Sequence, residues 1–239
     1  MSQLALITGA SRGIGHAIAH YFAQQGYSLI LVAKNSTRLT QVQAEFKTRY
    51  PNLTVDTLAL DFSQPESITQ PLSALLETRP SIDVMVSSAG VLTAGSTSLN
   101  TTKLTELFNI NVVSTMVVCN LVAEKMKQQG HGEIYTLGSM AALEPVTKIA
   151  AYSASKAALV TYSQMLYQKL LPFNVRVCCL CPSVVDTDMT NDGRIANSLK
   201  IDPQDLSNAI DFVRQLSPAA SMSILPIRCK VIDLEKQKA

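Results

Sequence analysis

LALITGASRGIGHAIAHYFAQQ, residues 4–25, is the stretch on which the fold turns. Leu4 to Thr8 is a short apolar run with strand character, and TGASRGIG, residues 8–15, follows at once. From about Gly13 to Gln25, Ile14, Ala17, Ile18, Tyr21 and Phe22 recur at i, i+3, i+4, i+7 and i+8, the spacing of one helix face. The glycines therefore sit in a strand-to-helix turn. Gly9 and Gly13 let the backbone turn tightly and approach a phosphate, and Gly15 lets the helix pack on the strand. The free N–H groups and positive end of the helix then face the anion. The spacing is GxxxGxG, not the commoner GxGxxG. A tight turn without a ligand is the competing reading, but the start of a βαβ unit favours a phosphate.

The same alternation continues outward along the chain. Leu29–Ala33 reads as a second strand, Ser36–Tyr50 as a polar amphipathic helix closed by Pro51, and Leu53–Leu60 as a third strand. Helix is expected at Ser67–Thr78 and strand at Ile82–Val86, which runs into Ser87-Ser88-Ala89-Gly90. A long helix is expected over Leu104–Gln129, then strand at Glu133–Leu137, helix at Ala150–Leu171 and strand at Val175–Leu180. Asp202–Leu216 reads as a last helix, with Asp202 or Ser198 as cap and Pro203 in the first turn. Leu225–Ile232 reads as a final strand, followed by a frayed charged tail at 233–239 around Glu235, Lys236 and Lys238. Repeated strand–helix alternation predicts an α/β fold: a Rossmann-like, doubly wound sheet of about seven parallel strands with helices on both faces. With no linker or repeat, residues 1–239 are expected to form one dinucleotide-binding domain.

The ends of these strands carry the first chemical clues. An Asp or Glu ending the second strand would hold the ribose 2′-OH of NAD, but Ala33 and Lys34 stand there. With Arg12 in the glycine turn, two cations are available for a 2′-phosphate, so NADP(H) is expected over NAD(H); two solvated surface cations are the plainer reading. Asp61 is placed to accept from an adenine amino group, or to cap the next helix. The small residues Ser87–Gly90 fit a backbone lying close to a ligand at the sheet edge.

The third clue is SMAALEPVTKIAAYSASK, residues 139–156. Tyr152 and Lys156 lie four apart, hence on one helix face, and Ser139 follows a strand. Together they make a proton-handling site for a carbonyl or an alcohol. Lys156 is expected to lower the phenol pKa of Tyr152 from about 10 toward neutrality. Asn111, among Ile110, Val112 and Val113, reads as a satisfied core amide, a helix kink, or a positioned dipole or water anchor.

These motifs, spread from Leu4 to about Ile232, resemble the short-chain dehydrogenase/reductase superfamily in its TGxxxGxG and YxxxK form. The resemblance implies catalytic roles for Asn111, Ser139, Tyr152 and Lys156. It implies cofactor contacts at Gly9, Ser11, Arg12, Gly13, Ile14, Gly15, Lys34, Asp61, Ala89, Gly90, Tyr152, Lys156, Pro182, Val185 and Thr187. The expected reaction is hydride transfer between a nicotinamide and a ketone, 3-oxoacyl or secondary-alcohol substrate. Tyr152 would be the general acid, Ser139 would bind the substrate oxygen, Lys156 the nicotinamide ribose, and Asn111 a water refilling the proton. The alternative is a catalytically silent NADP-binding regulator with the same fold. Two departures stand out: SSAG replaces the family's NNAG, and Pro182-Ser183 replaces its Pro-Gly. The substrate loop is expected at about 183–200, with Leu143, Val146 and Ile149 as an apolar wall; Arg194 and Lys200 are available for an acidic group, or are solvated. A homodimer or homotetramer is implied by resemblance alone.

Composition limits the other classes. A net charge of +2 with scattered Lys and Arg argues against a nucleic-acid binder. Five cysteines make no disulfide framework. Cys178 and Cys181 form a CxxC inside an apolar run, read as buried strand instead of a metal or redox site, and no metal is expected. MSQLALITGAS lacks a basic leader region, and no apolar stretch reaches the ~18 residues that span a bilayer, so a cytoplasmic protein without a membrane span is expected.

Overall fold

A computed structural model describes residues 3–237. The chain alternates β1 (Leu4–Thr8), α1 (Gly13–Gln24), β2 (Ser28–Ala33), α2 (Ser36–Arg49), β3 (Val55–Ala59), α3 (Thr69–Glu77) and β4 (Val84–Ser87). It continues with α4 (Thr101–Phe108), α5 (Ser114–Gln129), β5 (Gly132–Leu137), α6 (Met140–Leu143), α7 (Ala150–Leu170), β6 (Val175–Pro182), α8 (Pro203–Gln215), β7 (Ile224–Ile227) and α9 (Lys230–Lys236). The strands form one parallel seven-stranded sheet ordered β3-β2-β1-β4-β5-β6-β7. The direction of winding reverses between β1 and β4, and open α/β sheets hold ligands in the crevice beyond the strand ends at such a point.

Strand periodicity explains how both faces are covered. In β1, Ala5 and Ile7 point to the face of α1, α2 and α8, while Leu6 points to the face of α3, α5 and α7. All six residues of β2 are buried, which is why LILVA reads as a continuous apolar run. Asp202 caps α8 in a reciprocal capping box with Asp205, and Pro203 sits in the first turn, as expected.

Four expectations need correction. The long helix from Leu104 starts at Thr101 and is interrupted by a π-helical turn, Asn109–Val113. The run Thr101–Gln129 is long and apolar enough by composition to cross a membrane, contrary to expectation, but half of its apolar window is buried inside the structure. Residues Leu225–Ile232 are not one strand: β7 ends at Ile227, and Lys230 begins α9. Nor is the tail frayed where it is described. Arg228 bridges Glu144 at 2.6 Å and Asp233 at 2.7 Å, and Lys236 reaches Glu144 at 2.6 Å. These two cations hold the Glu144 carboxyl down at about 2 and latch the C-terminal segment beside α6. Lys238 lies outside the described residues.

Cys178 and Cys181, three apart on β6, fall on opposite faces because the strand period is two. Both are buried, as the strand reading expected.

Candidate active site

The glycine turn packs against the end of β4 at the winding reversal. Gly9 has φ +66°, and a Cβ there would lie 2.8 Å from the Ala89 nitrogen. A Cβ on Gly15 would lie 2.5 Å from the Gly9 carbonyl oxygen. Side chains at either position would push apart the two backbones that form the crevice. The Thr8 hydroxyl accepts from the backbone N–H of both Ser88 and Ala89 at 3.1 Å, bracing the strand end where SSAG departs from NNAG. Ser87 does not help: its buried hydroxyl has no hydrogen-bond partner among the described residues.

A cleft of about 800 Å³ opens over this turn. Of the residues expected to touch a cofactor, Gly9, Ser11, Arg12, Gly13, Ile14, Lys34, Asp61, Ala89, Gly90 and Thr187 line it. Gly15, Pro182, Val185, Tyr152 and Lys156 do not. Gly15 acts by packing, and Val185 is buried in a bridge with Ile201. Among the lining residues that sequence reading did not name are Asn35, which caps α2 by accepting from the Arg38 N–H, and Ser36 and Arg38 beside it. The sequence signal was present, since Asn-Ser-Thr-Arg after a strand is a helix start.

Two of the cations that line the cleft, Lys34 and Arg12, are already paired. Lys34 lies 2.8 Å from Asp61, and Arg12 lies 2.8 Å from Asp188. Its hydrogen bond to the Asp61 carboxylate raises the Lys34 pKa. Burial pushes the Asp61 carboxyl up, but its bonds from Lys34 and Ser63 outweigh that and leave it lowered. Asp61 also accepts from the Ser63 N–H and hydroxyl, which closes a local turn and does not cap the next helix as the second reading held: Gln64 and Ile68 stand at the starts of the helical segments that follow, and neither has a side-chain cap.

Beyond Gly90, β5 and α7 bring the remaining residues together in the interior. Ser139 follows β5 and caps α6, accepting from the Ala141 N–H at 3.1 Å. Tyr152 and Lys156, one turn apart on α7, are both buried. Lys156 Nζ donates to the Leu137 carbonyl at 2.7 Å, lies 5.8 Å from the Tyr152 ring centroid, and would lie 3.4 Å from a Cβ on Gly90. Burial lowers the Lys156 pKa to about 8, with Cys179 and Cys181 opposing. Tyr152 behaves contrary to expectation: burial raises its pKa, and the cause pulling it down is a hydrogen bond from Ser139, not the Lys156 charge. The ammonium is directed at Leu137, and enclosure of the phenol dominates.

Asn111 is fully buried in the π-turn. Its Oδ1 accepts from the Val91 N–H at 2.9 Å, and its Nδ2 donates to the Val91 carbonyl at 2.9 Å and to Ser155 Oγ at 3.1 Å. The side chain thus imitates a strand partner for Val91, in agreement with the satisfied-amide reading. Ser155, inside YSASK, donates to the Tyr152 carbonyl at 2.8 Å and so joins Asn111 to α7. Sequence reading passed over it as a spacer.

In the loop after β6, Arg194 pairs with Asp192 and stays exposed. Lys200 is neither solvated nor free for a ligand: its side chain is 1% exposed and donates to the Thr190 carbonyl at 2.9 Å and Asn197 Oδ1 at 2.8 Å. It clasps the loop from within.

The comparisons agree with this geometry. A family profile described as short chain dehydrogenase matches residues 3–197. An uncharacterized oxidoreductase of Staphylococcus saprophyticus is 29% identical over 227 residues, 95% of this chain and 97% of the relative. The crystal structure of a beta-ketoacyl-[ACP] reductase from Bacteroides thetaiotaomicron superposes with TM-score 0.85 at 28% identity, covering 98% of this chain and 99% of the other. The alcohol dehydrogenase of the archaeon Thermococcus sibiricus, complexed with 5-hydroxy-NADP, gives TM-score 0.85 at 25% identity, covering 96% and 97%. The parallel sheet with its glycine turn, and a profile match over most of its length, establish that the chain belongs to the short-chain dehydrogenase family of oxidoreductases.

Proposed function

We propose that the protein is an NADP(H)-dependent reductase of a ketone or 3-oxoacyl-type carbonyl, acting as one domain. The observation that carries this reading is the convergence of Ser139, Tyr152 and Lys156 just behind Gly90, at the inner end of a cleft built for a dinucleotide. The residues present fit such a cofactor. The Gly9–Gly15 turn leaves backbone room for a pyrophosphate at the start of α1. Arg12, Lys34 and Arg38 line the cleft where a 2′-phosphate would sit. When bound, the nicotinamide supplies the hydride.

The chain's own groups do the rest. Tyr152, kept protonated by its burial, gives its proton to the carbonyl oxygen as negative charge develops there. Ser139 has its acceptor side engaged by the Ala141 N–H, and its hydroxyl proton is available to steer Tyr152 and the substrate oxygen. Lys156 holds positive charge just behind Gly90, from where it would hold the ribose of the bound cofactor. Asn111 keeps Val91, and with it Gly90, in place. Leu143 and Val146, both exposed, offer an apolar wall to the substrate. The beta-ketoacyl-[ACP] reductase and the NADP-bound dehydrogenase among the similar structures support the same substrate class and cofactor.

Titration with NADPH and NADH, followed by cofactor fluorescence, tests the reading. NADPH is expected to bind tighter. The double substitution Lys34→Ala, Arg38→Ala is expected to reduce that preference by about tenfold or more, since a hydrogen bond to a charged group contributes about 1.5–3 kcal/mol. A wild-type preference for NADH would overturn the 2′-phosphate argument.

A further inference from the structure

On the outer side of α1, away from the cleft lining, three ligand-type side chains converge. His16 and His20 lie four apart, so their imidazoles share one helix face. Glu45 reaches them from α2. His16 Nε2 lies 3.2 Å from Glu45 Oε2, and His20 Nε2 lies 2.8 Å from Glu45 Oε1. One ligand atom from each residue falls within 4.8 Å of the others. The rings are held by packing: His20 stacks on the buried Phe46 with centroids 4.2 Å apart, and His16 meets Phe46 edge-on at 5.7 Å. His20 Nδ1 lies 3.2 Å from the Tyr50 hydroxyl.

We propose that His16, His20 and Glu45 form a binding site for a divalent transition-metal ion of the zinc type, completed by water. Two imidazoles and one carboxylate are a donor set that zinc accepts, at bond lengths of about 2.0–2.2 Å. Calcium and magnesium prefer an all-oxygen set, which these residues do not offer. The metal replaces the histidine-to-glutamate hydrogen bonds at Nε2. His20 then carries its ring proton on Nδ1 and donates it to the Tyr50 oxygen, the outer partner that fixes ring orientation in such sites. Because α1 and α2 both begin at the cleft, through Gly13 and Ile14 on one and Ser36 and Arg38 on the other, the ion clamps together the two helices that border it. The site does not depend on the oxidoreductase reading.

The test uses the full chain without a polyhistidine tag, stripped with chelator and titrated with zinc chloride by calorimetry. One equivalent is expected to bind saturably, with a rise in thermal midpoint. His20→Asn and Glu45→Gln are each expected to weaken binding by about tenfold or more. His16→Gln, at the more exposed of the two histidines, is the second variant should His20→Asn disturb folding. Cobalt substitution is expected to show no thiolate charge-transfer band, separating this site from the cysteines. Absence of saturable binding up to about 100 µM zinc, unchanged affinity in the variants, or a thiolate band would each overturn the proposal.

Discussion

Tyr152→Phe is expected to slow carbonyl reduction by about 10²–10⁴-fold, the range of a lost general acid, while NADPH binding stays near wild type. The substitution deletes one oxygen from a buried ring, so it opens no large cavity and leaves the packing of α7 in place. What disappears is the proton donor and the group that Ser139 bonds. The pH profile should carry the same signature. Burial holds the phenol protonated through neutrality, so the donor is present at ordinary pH. Lys156 loses its proton at about 8. For reduction, kcat/KM should therefore be level below that pH and fall above it, as the positive charge beside Gly90 is lost. For alcohol oxidation, which needs Tyr152 as the proton acceptor, the rate should rise with pH instead. Steady-state assays in both directions decide the matter. Turnover by Tyr152→Phe within a few-fold of wild type would sink the assignment, and tight NADPH binding by a wild type with no carbonyl turnover would favour the silent regulator.

Asn111→Ala should be costly in a different way. Its amide is the hydrogen-bond partner of both the N–H and the carbonyl of Val91, and it also donates to Ser155. Each polar group left unpaired in a buried setting costs about 1–3 kcal/mol, so the variant should lose about 2–4 kcal/mol of stability. Weaker NADPH binding should accompany this, because Gly90 precedes the unbraced residue and lines the cleft. Urea unfolding monitored by circular dichroism gives the first quantity and cofactor titration the second. An Asn111 that served only as a water anchor would lower turnover yet leave the unfolding midpoint where it was.

Much of the architecture was legible because burial imposes a period on sequence. The helix face over Ile14, Ile18, Tyr21 and Phe22 and the unbroken apolar run of β2 follow directly from which surfaces meet the sheet. The candidate site was legible for a related reason: glycines at a strand end and a Tyr and Lys four apart have few other uses together. What escaped was set by partners distant in sequence. Lys200 looks like any loop lysine until Thr190 and Asn197 close around it. The segment Leu225–Ile232 is apolar enough for one long strand, and what holds the helix that follows includes the attachment of Arg228 and Lys236 to Glu144, more than eighty residues away, and the packing of Val231 and Ile232 on the core. His16 and His20 display their spacing openly, but Glu45 comes from another helix. The raised pKa of Tyr152 depends on enclosure, which no i,i+4 spacing encodes.

The π-turn at Asn109–Val113 has a consequence for how this chain tolerates changes of length. Such a turn is arithmetically a one-residue insertion into an α-helix. Removing one residue there would restore regular winding, the outcome local propensity favours, and would leave α4 and α5 close to their present phase, because the wider turn absorbs the extra residue; what it would lose is the bulge that holds Asn111 against Val91. The turn therefore takes up one extra residue without changing the phase of its flanks: α5 keeps its seam against the sheet while Asn111 is delivered to Val91. Deletions in this short window should be far less acceptable than deletions in the loops, even though they would leave a more ideal helix behind.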